Sequence, residues 1–91
     1  MEGNKLIELR KEIDTVDNQI KELLIKRMDI CLDIAAYKKR HNLCVEDEKR
    51  EEEILKNLSK NEKYSNLVFC IWKPIMEYSK NLQEQKEKKS F

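Results

Sequence analysis

From Leu6 to Ile34 apolar residues return every three or four positions, through Leu9, Ile13, Val16, Ile20, Leu23 and Ile30, and the series breaks once, at Arg27. A stripe at that spacing lies along one face of an α-helix. Nothing inside it stops the helix, because the only Gly is Gly3 and the only Pro is Pro74. The pattern predicts a very long first helix from about Lys5 to Arg40, which at ~1.5 Å per residue extends for ~50 Å. A compact chain of this length has a radius of gyration of only about 12 to 13 Å. One chain is too small to cover both ends of such a helix, so the stripe predicts a partner chain, most simply in a symmetric dimer whose long helices pack together.

The rest of the chain is read in the same way. With one Gly, one Pro and 41% charged residues, it lacks the punctuation of sheets and hairpins, and the expected fold is all-α, three helices in a single domain. The joint HNLC, His41 to Cys44, ends the first helix, with Asn42 as its C-terminal cap. A second helix follows from about Val45 to Leu58, with Ile54, Leu55 and Leu58 as its apolar contacts. Ser59 to Ser65 form the second joint. The third helix is expected from about Asn66 to Gln83, burying Leu67, Val68, Ile71, Trp72, Ile75, Met76 and Leu82. Pro74 sits inside it, and a proline there costs about 3 kcal/mol unless a kink or a late helix start absorbs it. The folded part spans about residues 5–83, and the polar tail 84–91 is expected to fray.

Charge and cysteine usage exclude several classes. The formal charge is +1 with acids and bases interleaved, so no basic face points to a nucleic acid. No apolar run has the length of a signal peptide or a membrane span, which predicts a soluble protein. Cys31, Cys44 and Cys70 are odd in number, widely spaced and without a C-x-x-C pair, which favours reduced thiols in a cytoplasm over a disulfide framework or a zinc site. No metal or other cofactor is implied.

The polar residues on these helices carry the chemistry. Arg27 interrupts a core stripe, and its neighbours at three and four positions are Leu23, Leu24, Ile30 and Cys31, so its counter-charge must come from another segment or from an anionic ligand. Lys38 follows eleven residues later, about three turns and some 16 Å along nearly the same face. Arg10, 17 residues before Arg27, lies about 25 Å away and roughly 100° around the helix. It approaches Arg27 only from the other chain of an antiparallel dimer. The second helix carries Asp47, Arg50 and Glu51 on one face. The third carries Ser79 and Gln83, four apart, beside Ile75 and Met76. Each has a plainer reading: Arg27 in a salt bridge across a dimer seam, Lys38 snorkelling at a helix end, Arg10 paired with Asp14, and Arg50 paired with Glu46 or Asp47. Asp47 with Glu51 reads also as a solvated face, and Ser79 with Gln83 as surface or interface residues.

Taken together, the runs LIELRKEIDTVDNQIKELLIKRMDICLDIAAYKKR, VEDEKREEEIL and MEYSKNLQ resemble the all-helical chorismate mutases over about Lys5 to Gln83. The resemblance implies an intertwined homodimer with two identical sites, each built mostly in one subunit and completed by an arginine of the other. It implies that Arg27 and Arg10 of the partner subunit bind the two carboxylates of chorismate. Lys38 would contact a carboxylate and the ether oxygen of the breaking bond, with Gln83 donating to the same oxygen. Glu51, with the backbone around Asp47, would receive the ring hydroxyl, and Arg50 and Ser79 would be further binding positions, Ser79 toward a carboxylate. Pro74, one turn before Ser79, departs from the family pattern.

A site of this kind needs cations and donors but no nucleophile. Rearranging chorismate to prephenate breaks one carbon–oxygen bond as a carbon–carbon bond forms within the same molecule, so no proton transfer and no covalent intermediate are required. Two functions stay open beside it. The isochorismate pyruvate lyases share the fold and similar basic residues, and a non-catalytic helical homodimerisation module would use the same charges for pairing.

Overall fold

The computed structural model describes residues 2–60 and 63–89, with backbone alone at 2, 65 and 86–89. They form α1 (Glu2–Arg40), α2 (Glu48–Leu58) and α3 (Ser65–Lys89), with no strand among the described residues. The fold is all-α, as expected. Among the described residues no helix is long and apolar enough to cross a membrane. The chain divides into two compact units, residues 1–30 and 31–91.

The first unit is helical throughout its described length. Its stripe is a surface within one chain: Leu6, Leu9, Ile13, Val16, Ile20, Leu23 and Ile30 are all exposed, from 43% at Leu9 to 65% at Leu23. α1 begins at Glu2 rather than near Lys5. The first turn of a helix leaves its N–H groups without intrahelical partners, so little opposes extension of the helix through Gly3.

In the second unit, α2 packs on α3. Cys31, Ala35 and Met76 are its buried apolar residues, and Ile54, Leu55, Val68, Trp72, Ile75 and Leu82 are half-buried. Three residues expected in the core are exposed instead: Leu58, Leu67 and Ile71. A single 11-residue helix is too short to cover all of α3, and Val68, Trp72 and Ile75 are half-buried. Leu67 and Ile71, four apart, share a face of the helix.

The helix ends follow their sequence chemistry. The α1 terminus is a Schellman motif: Asn42 takes φ 56°, its N–H bonds the Lys39 carbonyl at 3.3 Å, and the Leu43 N–H bonds the Lys38 carbonyl at 2.8 Å. Asn42 is therefore the cap expected of it, since asparagine tolerates the left-handed region better than most side chains. α2 starts at Glu48, not Val45, because Asp47 is its N-cap and accepts the Arg50 backbone N–H at 3.0 Å. A capping residue holds a non-helical backbone, so the residues before it stay in the joint. α2 ends at Ser59, whose hydroxyl and N–H both bond the Leu55 carbonyl.

α3 starts within a residue of expectation and runs further than expected at its C-terminal end. It starts at Ser65, immediately after Tyr64 at φ 64°, and continues through Pro74 without a late start. Pro74 and Cys70 are exposed residues, and Pro74, which cannot donate to the Cys70 carbonyl, lines the cleft against α2. The tail expected to fray from residue 84 stays helical to Lys89. Gln, Glu and Lys are good helix formers, and intrinsic propensity propagates a helix already nucleated upstream. Residues 90 and 91 lie outside the described residues.

Candidate active site

Lys38 is held by the joint that follows it. It occupies the last turn of α1 with Lys39 and Arg40, where cations complement the negative end of the helix dipole. Its side chain is half-buried, and its ammonium donates to the Val45 carbonyl at 2.8 Å. One N–H of three is thus spent on the backbone, and two remain to donate.

On α2 the predicted face divides. Asp47 uses its carboxylate as the helix cap. Arg50 is exposed and pairs with Glu53 at 3.5 Å, one turn along its own helix and not with Glu46 or Asp47, because Asp47 is already engaged with the Arg50 backbone. An exposed pair of this kind contributes little to stability. Glu51 is half-buried and lines a cleft of about 600 Å³ between α2 and α3. That cleft is lined by Glu46, Glu48, Glu51, Glu52 and Glu77, with Lys73 as its one cation among the described residues. Such a lining repels anions. It is a poor receptor for a dianion, and among the predicted site residues only Glu51 reaches it.

α3 supplies the polar interior. Ser79 and Gln83 are 5% and 8% exposed, as buried as Met76, and they lie one turn apart on one face. The Ser79 hydroxyl donates to the Ile75 carbonyl at 2.8 Å, the back-bonding that serine uses inside a helix; its oxygen keeps acceptor capacity. The Gln83 side-chain oxygen is buried without a hydrogen-bond partner. A half-turn of that amide exchanges the oxygen for the NH₂ group, so the position presents an acceptor or two donors at little cost. Buried polar groups are normally paired, and an orphan of this kind calls for a reason. In the other unit, Arg27 is half-buried and Arg10 is exposed.

Two features of the site region have no signal in the sequence. The Val45 carbonyl is a backbone group and leaves no residue signature. The ion pair between Lys80 and Glu46, 3.4 Å apart, joins residues 34 positions apart, beyond any helical spacing. Glu46, through its hydrogen bond first and its charge second, raises the Lys80 pKa above the ordinary lysine value of 10.5.

The chain is thus an all-α protein of three helices, with a buried hydroxyl and amide on one helix and a half-buried lysine on another. Residues 9–84 match the family described as chorismate mutase type II, and the chain belongs to that family. A chorismate mutase of Methanocaldococcus jannaschii is 33% identical over 85 residues, covering 89% of this chain and 86% of the relative. A bifunctional chorismate mutase/prephenate dehydratase of Buchnera aphidicola subsp. Schizaphis graminum is 34% identical over 80 residues, which are 84% of this chain but 21% of that longer protein. Among solved structures, a conserved hypothetical protein from Pyrococcus furiosus superposes with a TM-score of 0.72 at 44% identity, covering 87% of this chain and 95% of that one. Family membership makes the chain an isomerase.

Proposed function

We propose that this chain rearranges chorismate to prephenate, in the synthesis of aromatic amino acids, at a site that two copies of the chain build together. The observation that carries the site is the Ser79 and Gln83 pair, two polar side chains buried like core residues, one with an oxygen lacking any partner, within the stretch that matches the family. A helical core without a ligand would use apolar residues there at lower cost.

In this reading Arg27 and the partner subunit's Arg10 bind the two carboxylates of chorismate. Fixing both selects the folded, near-attack shape of a flexible dianion, and pre-paid orientation of this kind lowers the barrier of an intramolecular step. Negative charge grows on the ether oxygen as its bond to carbon breaks. Lys38 and Gln83 donate to that oxygen and stabilise the transition state more than the ground state. Glu51, with the backbone at Asp47, receives the ring hydroxyl, and Arg50 and Ser79 complete the binding shell. The dimer is supported by the exposed α1 stripe: seven apolar residues at helical spacing are exposed along one helix, and contiguous exposed apolar surface marks an interaction site. An intertwined pairing of α1 helices would cover it.

The test is to mix the purified protein with chorismate and, separately, with isochorismate, and to identify the products. Prephenate from chorismate is the expected result. Pyruvate release from isochorismate with chorismate untouched would replace this reading by the lyase, and inertness toward both would leave the dimerisation module.

A further inference from the structure

Three consecutive residues of the α1–α2 joint are each tied to a different helix. The Val45 carbonyl accepts the Lys38 ammonium of α1 at 2.8 Å. The Glu46 carboxylate meets the Lys80 ammonium of α3 at 3.4 Å. The Asp47 carboxylate accepts the Arg50 N–H of α2 at 3.0 Å. Lys38 is gripped twice, because its own carbonyl also receives the Leu43 N–H at 2.8 Å. We propose that the Val45 to Asp47 segment is a three-way tie that positions the Lys38 ammonium for the reaction, with Glu46 and Lys80 as the positioning residues.

The covalent structure makes the coupling direct. The carbonyl that holds Lys38 belongs to the peptide unit whose nitrogen is that of Glu46, and that unit is planar and rigid. A displacement of the Glu46 backbone nitrogen and Cα therefore moves the acceptor of the lysine with it. With Asp47 fixed as the cap of α2, the Glu46 carboxylate is the remaining handle on that plane, and Lys80 holds it. Lys80 follows Ser79 directly and precedes Gln83 by three residues, so one ion pair sets the joint, and through it Lys38, against the helix that carries the buried polar pair. A lysine has four rotatable side-chain bonds, and an untied ammonium would sample many positions. Tied, it keeps two N–H groups pointed away from Val45 for a ligand. An exposed ion pair adds little to stability, so positioning accounts for the Glu46 to Lys80 bridge better than stabilisation does.

The inference rests on the reading of Lys38 as the group facing the ether oxygen, and its test separates the two. Glu46→Gln, Lys80→Met, the charge swap Glu46→Lys with Lys80→Glu, and Lys38→Ala are assayed together for kcat, KM and Tm. We expect Glu46→Gln and Lys80→Met each to lower kcat roughly three- to tenfold, a fraction of the ~10²-fold that a 1 Å misplacement can cost, with KM within twofold, Tm unchanged, and the swap recovering most of the loss. Lys38→Ala inactive beside single variants at full kcat, or single variants whose loss the swap does not restore or whose Tm falls instead of kcat, overturns the tie and leaves the proposed function standing. Lys38→Ala at near-normal kcat overturns the role of Lys38 and the tie with it.

Discussion

Residues 6–30 and residues 76–83 both depart from the rule that apolar side chains go inside and polar ones outside, in opposite directions. In the first stretch a row of large hydrophobes lies in the open, while in the second a serine and a glutamine are buried beside Met76. An apolar face in water is stabilised by any apolar cover, since the hydrophobic effect has no direction. A buried amide is satisfied only by a donor or acceptor in the right place. The first region therefore asks for a surface and the second for a particular set of atoms. In the proposed function a second copy of the chain would answer the first, and a small polar molecule the second.

The largest expected effect comes from spoiling the apolar region. Ile13→Asp with Ile20→Asp puts two carboxylates on the stripe, which α1 pairing would have to desolvate. We expect the wild-type chain to run as a dimer in light scattering and the double variant as a monomer, with chorismate turnover at background because Arg10 of the partner subunit is then missing. A monomeric wild type with full activity breaks the assignment of the stripe to a second copy.

Next in size is the polar side of the comparison. In the proposed site Lys38→Ala would remove a donor to the developing charge, and loss of one such donor costs about 10² or more in kcat. The expected drop is in kcat, with KM moving less. Near-normal turnover would mean that the Val45 contact is all that Lys38 does.

These two regions were not equally legible in the sequence. The α1 stripe is a periodic signal repeated seven times and needs no tertiary information, so both the helix and its need for cover could be read from spacing. Asn42 and Asp47 were similarly open to local reading, although the second helix was expected to start at Val45, before its cap, because Val45 is apolar and the cap is set by a side-chain bond three residues long. Pro74 lies inside α3, and its cost is not set by local sequence alone, because the fold decides what else can partner the Cys70 carbonyl that it leaves without an intrahelical donor. The burial of Ser79 and Gln83 was legible only as a spacing of four beside Ile75 and Met76. The Glu46 to Lys80 bridge spans 34 positions and has no local signature at all. Local rules carried the three helices and the Asn42 cap, while other helix ends and the contacts between elements had to come from the fold.

A finer change probes the same amide without emptying its place. Gln83→Glu keeps the shape and replaces a permanent donor by a carboxyl that donates only when protonated. Wild-type activity is expected to be flat through neutral and mildly alkaline pH, since an amide does not titrate. The variant should gain activity as pH falls through the pKa of the new carboxyl and lose it as pH rises, where a carboxylate faces the growing negative charge. A pH–rate profile for kcat decides the matter, and one identical to wild type would remove Gln83 from the ether oxygen.

The smallest effect separates capping from binding at Asp47. Its carboxylate bonds the Arg50 N–H, and losing an N-cap costs about 1 kcal/mol, which for a chain of this size lowers Tm by roughly 4 to 8 °C. Asp47→Ala should show that loss, and Asp47→Asn should largely restore it, because asparagine caps about as well as aspartate. If the substrate hydroxyl meets the backbone at Asp47 rather than its carboxylate, the asparagine variant also keeps its KM, while the alanine variant loses some affinity only through fraying of the turn that carries Arg50 and Glu51. Thermal melts and KM values on the same samples give both numbers. A raised KM in Asp47→Asn with an unchanged Tm would make the carboxylate a ligand of the substrate and move the negative charge of the site from Glu51 toward the joint.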